Sequence, residues 1–247
     1  MRDRLISIAS PIALLLLWEC AARTGLIDTR FFPAPSSIFR ALVALAGTGE
    51  LWRHTSASLQ RLALGFLVGG IPALILGIVM GLNRAVYAVF EPLIAATYPI
   101  PKSSILPLVL LIFGLGEGSK IFMVAVGVFF PVAINATAGV HEINRIYLDV
   151  GRNFKASRWN TFRTIALPGA LPFIMTGFKL GAGMGLVLIA IAEMMGAKSG
   201  LGYMIWAAWE TFSVEQMYVG LFVIAIIGFV LSLILNEIEK RVVPWKR

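Results

Sequence analysis

The chain has 247 residues, of which 58% are hydrophobic and only 14% are charged, and its mean hydropathy is +0.85. A soluble domain of this size carries roughly a quarter of its residues as charged side chains, so the composition excludes an ordinary soluble protein. The net charge of +8 is spread in short basic clusters between apolar segments, which is typical of a multispan membrane protein. A nucleic-acid-binding domain would concentrate that charge on one soluble face, so we expect no nucleic acid partner.

Apolar segments long enough to cross a membrane recur along the whole chain. A spanning helix needs about 20 predominantly apolar residues. Six segments approach or exceed that length: Leu5 to Cys20, Leu62 to Leu82, Leu93 to Leu115, Ile121 to Val140, Leu171 to Met195 and Gln216 to Asn236. The first has the flanks of a secretory signal peptide, but five further segments follow, so we interpret it as an uncleaved span. The sequence predicts an all-α membrane protein, a single transmembrane domain over residues 1–247 with about six helices.

The distribution of basic residues predicts the orientation. With six spans, both termini lie on the same side as the loops after the second and fourth spans. That side carries more lysines and arginines, among them Arg84, Arg163 and Lys240, than the side with Arg40 and Arg53. Because cytoplasmic loops carry the excess of Lys and Arg, we expect both termini in the cytoplasm.

The segment between the first two spans, residues 31–58, contains a second kind of helix. Pro33 and Pro35 precede Ser36 and Ser37, either of which could serve as a helix N-cap. Apolar residues then share one helical face: Ile38, Phe39, Leu42, Val43 and Ala46. This pattern predicts a helix lying on the outer membrane interface. A simple connector packed against the spans would give the same pattern.

Residues 141–168, the 141–168 loop, separate the fourth and fifth spans on the predicted cytoplasmic side. Apolar residues recur there at three- and four-residue steps, which predicts an amphipathic helix: Ile143, Ile146, Tyr147, Val150 and Phe154. Ser157 suits the N-cap of a second helix, whose apolar face begins at Trp159 and Phe162. Pro168 and Pro172 mark the start of the fifth span. The loop is therefore predicted to be a helix–turn–helix.

The spacing within this loop resembles the signature of permeases in binding-protein-dependent ABC importers. That signature has Glu-Ala-Ala, a Gly four residues later, then Ile and Leu-Pro; here Asp149-Val150-Gly151, Lys155, Ile165 and Leu167-Pro168 occupy those positions. Lys155 departs from glycine, the usual residue for a turn with positive φ, so the turn is either ordinary or strained. The resemblance implies a type I importer permease fold and an ATPase-docking site formed by Asp149, Gly151, Phe154, Lys155, Ala156, Ser157, Trp159, Ile165, Leu167 and Pro168.

Other segments extend the resemblance to permeases for sulfonates, nitrate, bicarbonate and related solutes: Gly49 to Trp52, Ile105 to Gly116, Phe129 to Pro131, Ala192 to Met194 and Ser199 to Tyr203. A small anion, such as a sulfonate, nitrate, bicarbonate or an organic acid, is therefore the expected solute. The implied partners are ABC ATPase subunits, a second permease copy, a periplasmic or lipid-anchored solute-binding protein and membrane lipid. The implied location is the cell inner membrane.

Cofactors and catalytic groups are not expected in this chain. The sequence has no G-x-x-x-x-G-K-[ST] phosphate loop, so ATP and Mg²⁺ are expected on a partner ATPase. Cys20, His54 and His141 are isolated from one another in the sequence, and we expect no metal site. The histidines are interpreted as ordinary polar residues near the membrane interfaces.

Charged residues within the spans are candidates for the solute path. Lys102 lies where Pro99, Pro101 and Pro107 interrupt the third span, and irregular backbone at membrane depth must face protein or water. Lys102, with Pro101 and Ser103, could therefore meet an anionic solute; a structural ion pair or a snorkelling lysine is the alternative. Glu193 is the other candidate, and a helix-packing or gating role is slightly favoured for it.

Several other features of the spans are interpreted as structural. Glu19 and Lys179 lie near span ends, where a long side chain can place its charged group in the aqueous interface at little cost in free energy. The glycines between Gly177 and Gly185 allow helices to approach closely. The aromatic residues Trp206 and Trp209 are expected to anchor the chain at the membrane interface.

Two other functions remain open. An ion-gradient-driven secondary transporter or channel would also be a multispan protein, usually with an internal repeat, which is not evident here. A membrane-embedded enzyme would need a convergent set of catalytic groups, and the scattered carboxylates and histidines offer none.

Overall fold

Apolar helices dominate the chain. The computed structural model describes residues 2–245, except for the side chains of residues 2–8, 145, 148, 152 and 158, and within that part it contains helices and no strands. The α-helices are α1 (Arg2–Arg23), α2 (Pro35–Gly47), α3 (Glu50–Leu82), α4 (Arg84–Thr97), α5 (Leu106–Phe113), α6 (Glu117–His141), α7 (Arg145–Asn153), α8 (Arg158–Thr161), α9 (Leu167–Met194), α10 (Leu201–Glu210) and α11 (Val214–Val242). A 3₁₀-helix (Lys102–Ile105) precedes α5, and a π-helix (Phe162–Ala166) joins α8 to α9.

The membrane-spanning helices confirm the all-α fold. Within the described residues, four helices are long and apolar enough to cross a membrane: α3, α6, α11 and the continuous Trp159–Met194 segment that ends with α9. α4 and the Lys102–Phe113 segment form a bent pair that would supply a fifth. The first predicted span, Leu5 to Cys20, falls within α1, and its side chains up to Ile8 lie outside the description.

The third predicted span is broken at its prolines, as expected. The axes of α4 and the Lys102–Phe113 segment differ by 89°. Pro101 lacks the backbone N–H that would continue a helix, and it restricts Ile100 before it. The apolar helix on the amino side begins at Arg84, earlier than the predicted Leu93.

The segment 31–58 departs from its prediction in two details. Neither Ser36 nor Ser37 is the N-cap of α2, because the helix already begins at Pro35 and Ala34 occupies the cap position. Proline suits the first helical position, where its missing N–H has no partner to lose. The connector also ends early, since α3 begins at Glu50 and continues to Leu82 without interruption.

The chain forms two compact units. The larger unit comprises residues 59–192 and 226–247. Its most buried helix is α6, whose Val124, Val128 and Val132 are fully enclosed and form one core cluster with residues of α3 and α9. Glycines make this packing possible: a Cβ on Gly69 would collide with the backbone of Ala125, and one on Gly177 would lie 2.9 Å from the Pro131 carbonyl oxygen. The tight-packing prediction for the α9 glycines thus holds at Gly177 but is wrong at Gly183, where a Cβ would have no neighbour within 4 Å among the described residues.

The smaller unit comprises residues 1–58 and 193–225. Glu19 of α1 accepts hydrogen bonds from the Ser36 amide (2.9 Å) and hydroxyl (2.8 Å), which attach the start of α2 to α1. The Trp18 and Tyr218 rings lie 5.5 Å apart, and the Tyr218 hydroxyl donates to the Phe31 carbonyl oxygen. These contacts join α1, α2 and the start of α11.

Candidate functional site

The 141–168 loop is a helix–turn–helix, as the sequence predicts. Its first helix, α7, begins after Asn144, whose side-chain oxygen accepts a hydrogen bond from the Ile146 amide at 3.0 Å. Its second helix, α8, begins after Ser157, whose hydroxyl accepts from the Asn160 amide at 3.2 Å. The predicted capping role of Ser157 is therefore present in the structure, because its side chain satisfies an amide that has no partner within the helix.

The turn between the two helices places Lys155 in the left-handed region, with φ of 52°. The Ala156 amide donates to the Gly151 carbonyl oxygen at 2.9 Å across this turn. This is the Schellman arrangement, in which the left-handed position normally belongs to glycine. Of the two possibilities that the sequence left open, the structure has the strained one.

Gly151 and Ile165 contact each other across the turn. Gly151 is buried, and a Cβ at this position would lie 3.0 Å from Cδ1 of Ile165. A larger residue would push α7 away from the π-helix that contains Ile165. Leu167 and Pro168 follow as the first two residues of α9. Two separated positions of the signature therefore meet in space.

The loop presents a large apolar surface that nothing else in the described chain covers. Phe154 is 83% exposed and Trp159 is 64% exposed, and Tyr147 and Val150 are also exposed on α7. The Trp159 and Phe162 rings lie 5.5 Å apart and extend this surface onto the second helix. Asp149, Lys155, Ala156 and Ser157 are exposed around it. The predicted docking residues other than Gly151, Ile165, Leu167 and Pro168 are thus accessible to a partner.

A groove of about 390 Å³ lies beside this surface. Its lining comes from the chain before α7, the start of α9 and the C-terminal segment: Glu142, Ile143, Asn144, Tyr147, Thr164, Ile165, Pro168, Gly169 and Trp245. The surface and the groove together provide exposed aromatic side chains next to a concave, partly polar recess. Such a combination suits a protein partner better than a small ligand.

Lys102 lies in the break of the third span and holds its two halves together. Its ammonium donates to the carbonyl oxygens of Thr97, Tyr98 and Ile100, each at 2.9 Å. It also lies 4.2 Å from the centre of the Phe130 ring. A cation at this position supplies hydrogen-bond donors to carbonyl oxygens that have no partner within the helix at the C-terminus of α4. It also interacts favourably with the negative end of the helix dipole. This geometry makes Lys102 a cap of α4, and Pro101 and Ser103 beside it are exposed.

Glu193 is fully buried near the end of α9, within the smaller unit. Its carboxylate accepts hydrogen bonds from the Ser58 hydroxyl (2.7 Å) and from the Gly202 amide (3.0 Å). The packing role favoured by the sequence agrees with these contacts.

The comparisons with known proteins agree with this geometry. The profile of the family "Binding-protein-dependent transport system inner membrane component" matches residues 73–247. The chain is 35% identical to the taurine transport system permease protein of Escherichia coli over 249 residues, covering 99% of this chain and 90% of that protein. It is 33% identical to a putative aliphatic sulfonates transport permease protein of Escherichia coli (95% and 89% covered) and 31% identical to a nitrate import permease protein of Leptolyngbya laminosa (81% and 72%).

The chain belongs to this family of importer permeases. The resemblance inferred from the 141–168 loop is thereby confirmed, together with the membrane-embedded transport role. Importers of this family work with ATPase and solute-binding protein partners in general.

The permease also contains polar contacts that sequence reasoning missed. Arg61 is buried and forms a bidentate pair with Glu117, with Nε–Oε2 and Nη2–Oε1 distances of 2.5 and 2.7 Å. The Lys120 ammonium is buried against the Leu115 carbonyl oxygen. The available sequence signal is that Glu117 and Lys120 directly follow the glycine-rich turn at 114–116.

Proposed function

We propose that this permease forms the solute pathway of an ATP-driven importer for a small anion and binds a separate ATPase through its 141–168 loop. The observation that carries the proposal is the apolar surface of α7 and α8, which stays exposed in the isolated chain. An amphipathic helix placed in a hydrophobic groove is an established way for two proteins to bind. ATP and Mg²⁺ would be bound by that partner.

The exposed aromatic residues supply the binding free energy. Phe154 and Trp159 are among the most exposed large side chains of the loop. Fully burying one such side chain contributes about 1.5–3 kcal/mol. Two of them, enclosed by a partner's groove, are enough to be the dominant contacts of a docking site.

The connection from the loop to the spans supports the coupling. The helical segment Trp159–Met194 is continuous over 36 residues and contains both the second loop helix and a membrane span. A movement of the ATPase would displace this segment as a rigid body, which is a common form of conformational switching. The capped helices and the Gly151–Ile165 contact stiffen the loop against bending.

The class of solute follows from the relatives. The names of similar permeases specify taurine, aliphatic sulfonates and nitrate, which share oxyanion chemistry. We propose a small anion of this kind, such as a sulfonate, nitrate, bicarbonate or an organic acid. Lys102, Pro101 and Ser103 remain the proposed path residues, whereas Glu193, which is fully buried, keeps the helix-packing role that the sequence slightly favours. Lys102 supports the proposal because, among the described residues, its partners are carbonyls and aromatic rings and not a carboxylate.

The remaining partners and the orientation are part of the same proposal. Two permease copies would enclose the pathway, and a periplasmic or lipid-anchored solute-binding protein would deliver the anion. Both termini and the 141–168 loop would lie in the cytoplasm, as the distribution of basic residues predicts.

The test is to purify the permease with its ATPase and to measure ATP hydrolysis in proteoliposomes. Phe154→Ser and Trp159→Ser should each weaken ATPase binding about tenfold or more, given the free energy of burying an aromatic side chain. Phe212→Ser is the matched control, because Phe212 is equally exposed but lies between α10 and α11. Unchanged ATPase stimulation in both loop variants would refute the docking proposal. Solute flux through the permease alone, driven by an ion gradient, would favour a secondary transporter or channel.

A further inference from the structure

Three side chains hold the start of α10, within the smaller unit. His54 Nδ1 accepts from the Gly200 amide at 3.1 Å, and the Ser58 hydroxyl accepts from the Leu201 amide at 2.8 Å. The Glu193 carboxylate accepts from the Gly202 amide at 3.0 Å. Three consecutive amides that lack acceptors within the helix are thus satisfied by side chains from two other helices, α3 and α9.

The contacts within this His54–Ser58–Glu193 cluster are mutually dependent. The Ser58 hydroxyl donates to Glu193 while it accepts from the α10 backbone. All three side chains are buried, and Glu193 has no exposed surface. The His54 and Tyr203 rings stack at 5.7 Å, which adds a contact to α10 itself.

Gly200 fits this cluster and nothing larger would. Its φ of 120° disfavours any residue with a side chain, and a Cβ there would collide with the Glu193 carboxyl group. The absence of a side chain at Gly200 therefore allows the backbone to lie directly against the Glu193 carboxyl group. The Glu193 carboxyl group lies at the positive end of the α10 dipole, where a hydrogen-bond acceptor is favoured.

A helix start can be capped far more simply, by one serine or aspartate at the cap position. Here the cap comes instead from the last turn of α9, the helix that begins at the 141–168 loop. A buried and fully hydrogen-bonded polar cluster at such a junction specifies one geometry where apolar packing would tolerate several.

We infer that the His54–Ser58–Glu193 cluster makes the end of α9 and the start of α10 move as one body, with Glu193 as the positioning residue. The inference rests on the proposed function, because α9 is the helix that would carry the movement of the ATPase. Loss of the cluster should uncouple α10 from that movement and leave ATPase docking in place.

The experiment uses the complete transporter, with permease, ATPase and solute-binding protein, in proteoliposomes. Glu193→Gln and Ser58→Ala should lower the amount of solute imported per ATP at least fivefold and leave the permease-stimulated ATP hydrolysis within twofold of the wild type. Ser58→Thr, which keeps the hydroxyl, should restore most of the import. Glu215→Gln and Ser56→Ala are matched controls on exposed positions of α11 and α3 and should behave as the wild type.

The outcomes separate the two proposals. A wild-type permease that does not stimulate the ATPase refutes the proposed function, and the cluster's coupling role with it. A wild-type permease that stimulates the ATPase, with import per ATP unchanged in Ser58→Ala and Glu193→Gln, refutes the coupling role alone. If Glu193→Gln does not accumulate in the membrane, Ser58→Ala decides, because it keeps the carboxylate. A parallel loss of hydrolysis and import in Ser58→Ala would also overturn the coupling role, because it would show a general defect.

Discussion

The strained turn at Lys155 gives a prediction with a calculable magnitude. Lys155→Gly should stabilise the 141–168 loop, because the left-handed conformation costs a residue with a Cβ about 1–2 kcal/mol and costs glycine almost nothing. Glycine in turn loses more conformational freedom on folding, which costs roughly 0.5–1 kcal/mol. The net gain is about 0.5–1 kcal/mol, or roughly a two- to fivefold shift in the local opening equilibrium.

The Ala156 amide reports that equilibrium directly, because it donates to the Gly151 carbonyl oxygen only when the turn is formed. Hydrogen exchange measured by mass spectrometry should show this amide two to five times more protected in Lys155→Gly than in the wild type. Lys155→Ala is the matched control: it removes the charge and keeps the strain, so its exchange should equal that of the wild type. Equal protection in Lys155→Gly and Lys155→Ala would refute the strain argument.

Three further predictions concern the membrane-embedded contacts. Lys102→Met should leave the carbonyls of Thr97, Tyr98 and Ile100 without their donor. The free energy of unfolding, measured by denaturation in detergent, should fall by about 1–3 kcal/mol. A stability equal to that of the wild type would contradict the capping role. Gly69→Ala should destabilise the larger unit by about 1–3 kcal/mol, because the added Cβ collides with Ala125. Gly183→Ala should be neutral, because the space around Gly183 is open. Equal unfolding midpoints for the two variants would show that the packing is wrong. Lys179 and Glu239 form an ion pair, so Lys179→Glu and Glu239→Lys should each lower the midpoint of thermal unfolding. The double charge reversal should recover part of the loss. Strictly additive losses would show that the two side chains do not interact.

The sequence was sufficient to predict the long apolar helices, because lipid imposes strong constraints on length and composition, but it did not predict α10. The break at Pro99–Pro101 and the helix pair around Ser157 follow from local rules on proline and capping. The strain at Lys155 could be posed as an alternative, but only the backbone conformation decided it.

The long-range polar contacts could not be predicted from the sequence. Ser58 and Glu193 are 135 residues apart, and nothing local to either residue indicates the other. His54 looked like an ordinary interfacial residue because its acceptor role depends on the backbone conformation of Gly200. The polar residues at the start of α3 suggested a loop, whereas His54 and Ser58 are buried and hydrogen-bonded and the helix begins at Glu50.

The expected N-cap at Ser36 or Ser37 was wrong for a local reason that the sequence did contain. Pro35 is favoured at the first helical position, and the helix begins there. Ser36 was then available for a different role, the attachment of α2 to Glu19.

The most direct test of the docking proposal is the accessibility of position 154. Phe154→Cys in a Cys20→Ser background provides a unique thiol at the most exposed apolar position of the loop. A membrane-impermeant maleimide should label it in inverted vesicles and not in intact cells, and added ATPase should protect it. Labelling in intact cells, or labelling that the ATPase does not slow, would contradict the proposal that this surface binds the ATPase in the cytoplasm.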